Sequence, residues 1–243
     1  MDILYQLPFP KEICSKIFFF ACKSPHSGLV VSMLKKKLNR KNLNIHEKDE
    51  YVTKLHLYYE KEISINFYTL FKNLKYIKLS GRGVKGNIEC LSSLPNLKLI
   101  TLSNSRIYGD IAHLKYLNNL TEIHIGLTGV YGDVVHLNSL SNLIEIYIGH
   151  TDVYGDIVHL KSLPNLSKIY LSNTAVYGDI GHLNKLMNLS EIYLSYTRVF
   201  GNIADLKTMQ NLSQLFTRDT NVIKDNNAFH TYRKNAKLNI CNI

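Results

Sequence analysis

Four aspartate–histidine pairs share one spacing: Asp110/His113, Asp133/His136, Asp156/His159 and Asp179/His182, each written D-x-x-H. Carboxylate and imidazole are both zinc ligands, and imidazole changes charge near neutral pH, so such a pair can hold a metal or pass a proton. The same residues have an architectural use, because an aspartate after a glycine caps backbone N–H groups. A catalytic centre needs one differentiated constellation, whereas this pair is copied four times. It also decays to Asn202/Asp205 with its surroundings intact, and Cys90 fills the histidine position. Structure is the expected role; a metal-binding or hydrolytic protein using the Asp-His ladder is the minor alternative.

The elements that position these residues follow from a repeat. Glycine recurs every 23 residues at Gly86, Gly109, Gly132, Gly155, Gly178 and Gly201, a period that marks a stacked architecture. Units starting at Leu94, Leu117, Leu140, Leu163 and Leu186 hold one register, the third reading LSNLIEIYIGHTDVYGDIVHLKS. A unit from Phe71 precedes them, a worn one from Met209 follows, and Leu55 and Leu57 lie 22 residues before Ile77 and Leu79. Together these make about eight coils, above the three a stable stack needs.

Within a coil, alternation predicts a strand over Glu145–Gly149 with Ile146 and Ile148 inward and Glu145, Tyr147 and Gly149 outward. No coil buries its apolar side alone, so Leu143, Ile146, Ile148, Val153, Ile157 and Leu160 must pack on their equivalents above and below. Gly-Asp reads as a turn after this strand. The tyrosines of that turn, Tyr108, Tyr131, Tyr154 and Tyr177, with Phe200 after them, read as structural.

The pattern L-x-x-L-x-x-L-x-L-S-x-T-x-V-x-G-x-I-x-x-L resembles the leucine-rich repeat, its G-x-I part the plant-type variant, over residues 50–231. The resemblance implies an α/β fold, a right-handed leucine-rich-repeat solenoid. Its parallel β-sheet lines the concave face, short helical or turn segments the convex side, and helical caps close both ends. Ser105, Thr128, Thr151, Thr174, Thr197 and Thr220 stand where the family usually has asparagine; a hydroxyl can still serve the turn backbone. The expected domains are a helical N-terminal cap over 1–47, the solenoid over 48–221 and a C-terminal cap over 222–243. In the last, Asn226–Lys237 reads as a helix and LNICNI as a final edge.

Composition narrows the function classes. The 243 residues carry a net charge of +10, but nine of the basic residues against three acidic ones fall within the first 48, and the rest is nearly balanced. The run Lys35 to Lys41 is too local for a nucleic-acid surface and reads as a solvated helix end. Cys14, Cys22, Cys90 and Cys241 are scattered, which fits a reducing compartment, and IFFFAC is too short for a signal core or a membrane span. The sequons at Asn119 and Asn165 arise from one repeat position and carry no weight. A cytoplasmic or nuclear monomer is expected, with no nucleic acid or membrane as partner.

In repeat arrays specificity resides on the exposed strand face. The outward strand-centre column runs Lys78, Thr101, His124, Tyr147, Tyr170, Tyr193, Phe216, and the column beside it Tyr76, Leu99, Glu122, Glu145, Lys168, Glu191, Gln214. Tyrosine and phenylalanine are typical interface anchors, though they also stack well along a sheet. The residues expected to bind a protein partner are Glu122, His124, Glu145, Tyr147, Lys168, Tyr170, Glu191, Tyr193 and Phe216. The carboxylates have the wrong sign for phosphate, and no catalytic residue, metal or cofactor is expected.

The segment FPKEICSKIFFFA, Phe9 to Ala21, resembles the opening of the F-box, with Phe9, Pro10, Glu12, Ile13 and Ile17 in its L-P-x-E-I-x-x-x-I positions. That resemblance implies a substrate receptor of a cullin-type ubiquitin ligase, these residues binding the ligase adaptor and the repeats binding the target. CKSPHSGLVVSMLKKKLNRKN lacks the family's later V-C-x-x-W-like segment. A helical cap without adaptor binding is the favoured reading, since every solenoid needs one. The functional expectation is therefore a non-enzymatic protein–protein interaction module, with the ligase receptor as alternative.

Overall fold

A computed structural model describes residues 43–48, 51–58, 62–223 and 239–240 of the chain. One coil shows how the repeat folds. Leu140 and Leu143 are buried, Glu145–Tyr147 forms a strand, and His150 turns the chain with φ of 56°. Asp152–Asp156 then forms a second strand, and Ile157–Ser162 closes the coil as a 3-10 helix. The hydroxyl of Thr151 donates to the Ile148 carbonyl at 2.6 Å, and Ser105, Thr128, Thr174, Thr197 and Thr220 do the same in their coils at 2.5–2.7 Å. The hydroxyl thus serves the turn in place of an amide.

Stacking turns the two strand types into two sheets. The first contains β1 (Leu43–Lys48), β2 (Tyr51–Tyr58), β4 (Tyr76–Ser80), β6 (Leu99–Thr101), β8 (Glu122–His124), β10 (Glu145–Tyr147), β12 (Lys168–Tyr170), β14 (Glu191–Tyr193), β16 (Gln214–Phe216) and β18 (Asn239–Ile240), in that order. The second contains β3 (Ile63–Ser64), β5 (Val84–Asn87), β7 (Arg106–Asp110), β9 (Gly129–Asp133), β11 (Asp152–Asp156), β13 (Ala175–Asp179), β15 (Arg198–Asn202) and β17 (Asn221–Ile223), also in order. All neighbours are parallel except β1 and β2, which pair antiparallel. Between the sheets Leu143, Ile146, Ile148, Val153, Ile157 and Leu160 are fully buried, part of one apolar core running from Ile65 to Val222.

The sheets differ in register. In the first, Ile146 pairs with Ile169, so residues 23 apart lie side by side and identical positions stack into columns. In the second, Tyr154 pairs with Ala175 and Asp156 with Tyr177, so partners are 21 apart and identical positions are staggered by two residues. Leu55 and Leu57 pair with Ile77 and Leu79, confirming the further turn expected there.

Beyond the first sheet each coil holds more than helical or turn segments: it also carries a strand of the second sheet. Gly-Asp is not a turn after the inner strand but the end of a strand, and Tyr108, Tyr131, Tyr154, Tyr177 and Phe200 are strand residues pointing outward. The reason is the alternation in D-V-Y-G-D, where Val153 and Gly155 are buried while Asp152 and Tyr154 are exposed. At the N-terminal side, Leu43–Lys48 is strand, not the end of a helical cap. Phe9, Pro10, Glu12, Ile13 and Ile17, the remainder of that cap and the helix expected over Asn226–Lys237 lie outside the described residues.

Candidate functional site

The Asp-His ladder resolves first. Asp110, Asp133, Asp156 and Asp179 each accept from the backbone N–H two residues on, at 2.8 Å, capping a 3-10 helix. Asn87 and Asn202 do the same at 2.9 Å in the outer coils, which is why the pair can decay harmlessly. The aspartate also reaches the next coil. Gly155 has φ of 110°, and a Cβ on it would fall 2.1 Å from Asp133 Oδ1. Gly178 sits on Asp156 in the same way. Among the described residues these rungs supply no cluster of three converging metal donors. Burial pushes the Cys90 thiol up to about 12.

The expected binding residues do come together, on the outer face of the first sheet. Because partners there are 23 apart, Glu122, Glu145, Lys168, Glu191 and Gln214 form one column, and His124, Tyr147, Tyr170, Tyr193 and Phe216 the next. Strand spacing of about 4.8 Å brings the rings within reach. His124 meets Tyr147 at 4.3 Å between centroids, tilted by 58°; Tyr147–Tyr170, Tyr170–Tyr193 and Tyr193–Phe216 stack at 3.9, 4.1 and 4.3 Å with planes within 16°. The rings cover one another, so each is half-buried. The stacking along the sheet that the sequence offered as one reading of the aromatic column is present.

The charged column is wired to the aromatic one. Lys168 Nζ lies 3.5 Å from Glu145 Oε1 and 3.4 Å from Glu191 Oε1, and the Glu145 carboxylate foremost holds the lysine above its ordinary pKa. The Tyr170 hydroxyl donates to Glu191 and that of Tyr193 to Gln214. Burial raises the phenols of Tyr147 and Tyr170, reinforced at Tyr170 by its bond to Glu191, so both stay neutral and can donate. At the other end burial lowers His124 against the opposing pull of Glu122 and Glu145. Leu99, grouped with the outward column, is buried.

Two features escaped the sequence reading. Asn119, Asn142, Asn165, Asn188 and Asn211 each donate from Nδ2 to a carbonyl of the preceding coil at 2.8–3.0 Å. Their shared repeat position, noted only through the discounted sequons at Asn119 and Asn165, was the available signal. The exposure of the second aromatic row, whose residues were read as structural, is the other: Tyr108, Tyr131, Tyr154, Tyr177 and Phe200 are 48–53% exposed, more open than the rings of the first sheet.

No protein-family model and no curated protein matches the chain. Solved structures do. The chain is similar to the Arabidopsis receptor kinase HAESA in complex with the peptide hormone IDA and the co-receptor SERK1, at 26% identity and TM-score 0.67 over 79% of this chain and 33% of that one. It is similar to the plant peptide hormone receptor RGFR1 in complex with RGF2, at 23% identity and TM-score 0.63 over 71% and 29%. Internalin C2 from Listeria monocytogenes matches at 19% identity and TM-score 0.62 over 78% and 81%. The chain thus spans about a third of the two plant receptors' length. With its stacked parallel strands and such neighbours, the fold is a leucine-rich-repeat solenoid.

Proposed function

We propose that this chain is a non-enzymatic interaction module that binds a protein or peptide on the outer face of the first sheet. One observation carries the reading: a row of four stacked rings runs beside the ion-paired row Glu145, Lys168, Glu191, both fixed by the strand register. An aromatic platform of that kind supplies area at little cost in entropy, and the neighbouring carboxylates and lysine supply direction. The peptide-hormone complexes of HAESA and RGFR1 support a protein or peptide as the partner class.

The test exchanges Lys168→Glu with Glu191→Lys, which keeps an ion pair in place but inverts the surface pattern. Proteins captured from the native source by wild-type chain should be lost by this variant and kept by one carrying Tyr154→Ala and Tyr177→Ala on the second sheet. Equal capture by wild type and the exchanged variant would sink the proposal. The ligase-receptor reading rests on Phe9, Pro10, Glu12, Ile13 and Ile17. Deletion of residues 1–42, which spares β1, should then abolish capture of a cullin adaptor without touching target binding.

A further inference from the structure

The end of the aromatic column is chemically unlike the rest of it. Glu122 and His124 on β8 and Glu145 on β10 bring three ligand atoms within 4.8 Å of one another. His124 Nε2 lies 3.5 Å from Glu145 Oε2 and 3.9 Å from Glu122 Oε2. The ring nitrogen is shielded from solvent and makes no hydrogen bond of good geometry, the Glu145 contact at 3.5 Å being long. An orphaned buried polar atom is costly and uncommon in a folded protein. Here it points between two carboxylate oxygens that are themselves acceptors.

We propose that Glu122, His124 and Glu145 form a binding site for one divalent transition-metal cation, zinc being the best match to the donors, with an open position toward solvent. The spacing fits: zinc bonds of about 2.1 Å in tetrahedral geometry place neighbouring donor atoms about 3.4 Å apart. The separations of 3.5 and 3.9 Å, with all three donor atoms within 4.8 Å of one another, lie near that value. Glu145 divides its two oxygens, Oε1 toward Lys168 and Oε2 toward His124, so the lysine does not compete for the coordinating atom. On the other side of Glu122 the paired residue is Leu99, which offers no cation. Lys78 and Lys168 oppose a cation through space, and the two carboxylates offset them.

This constellation answers the objection that removed the Asp-His ladder. The equivalent places in other coils hold Leu99 and Thr101, Lys168 and Tyr170, or Glu191 and Tyr193, so among the described coils the donor set occurs once. A site with three protein ligands and one free position is the form zinc takes when water or an outside ligand completes the shell. The site goes beyond the interaction reading and does not depend on it.

The experiment titrates untagged full-length protein with zinc alone, by calorimetry, and with cobalt(II), read by its visible ligand-field absorption. One ion per chain is expected. His124→Tyr, which installs the residue that the next coil carries and so preserves the stack, should weaken binding by at least about 100-fold, as should Glu145→Gln, since even outer-shell changes cost 10- to 100-fold. His159→Ala should change nothing. Absence of saturable uptake, uptake unaltered by both His124→Tyr and Glu145→Gln, or loss on His159→Ala would each overturn the site. The pull-down comparison of Lys168→Glu with Glu191→Lys stands whichever way the titration falls.

Discussion

The two sheets are built from the same 23-residue unit and both display an aromatic row, yet the rows behave as opposites. In the first sheet partners are 23 apart, so rings at one repeat position face each other and stack at 3.9–4.3 Å. In the second, partners are 21 apart, so Tyr154 lies beside Ala175 and Tyr131 beside Asp152. A two-residue stagger across adjacent strands separates equivalent side chains by about 8 Å, too far for rings to stack. Register, not composition, decides whether a tyrosine row becomes a mutually supporting ladder or a set of separate exposed side chains.

The strongest way to break that contrast is to remove each row. Replacing Tyr147, Tyr170 and Tyr193 with alanine deletes every ring contact between His124 and Phe216. Each aromatic pair contributes about 1 kcal/mol beyond area burial, so about 4 kcal/mol of stability should go. Tyr131, Tyr154 and Tyr177 replaced together should cost less than half of that, as measured by urea unfolding. Equal losses would mean that stacking contributes nothing.

Gly155→Ala attacks the stagger itself. The added Cβ would meet Asp133 and adopt a φ that side chains avoid, a loss of about 2–3 kcal/mol. Adding Asp133→Ala should return part of it, because the clash goes while the backbone strain stays; a double-mutant cycle reads the coupling.

Alkaline pH should sharpen the difference. The phenols of Tyr147 and Tyr170 are raised above 10.0 in the folded chain, so the unfolded chain releases their protons first. Their stabilisation is complete below pH 10 and is lost as pH rises beyond it. Tyr147→Phe with Tyr170→Phe should flatten that fall in denaturation curves taken on either side of pH 10. The smallest effect is a gain. Leu127, exposed at the corner between the sheets, has φ of 57°, a conformation that costs a branched side chain about 1 kcal/mol. Leu127→Gly should raise stability by a little less than that, visible as a higher melting temperature.

How much of this was legible in the sequence follows from what periodicity can and cannot encode. Ile146, Ile148 and Val153 announce themselves as core because an inward position is apolar in every coil. The second sheet hid because its strand ends in Gly-Asp, which in isolation reads as a turn; pairing with the strands of the neighbouring coils makes it extended. The choice between 23 and 21 was invisible, since one period is compatible with both registers. Glu122, His124 and Glu145 were each named, but their convergence needs the first-sheet register to set residues 23 apart side by side. The aromatic column was legible in place and not in exposure: mutual burial is a property of the stack.

The asparagine ladder has a last consequence. Asn142 bonds to Asn118 in the coil before it and Asn165 to Ser141, always one step in the same direction. Each of these asparagines therefore reads only the immediately preceding coil. A tandem duplication of 23 codons anywhere in the regular stretch would insert a unit that finds every bond already provided for on both sides. Such a gene could lengthen its product by about 4.8 Å per event, the spacing of strands in a sheet, without passing through an unfolded intermediate form. Reach, in this molecule, is open to change by simple copying.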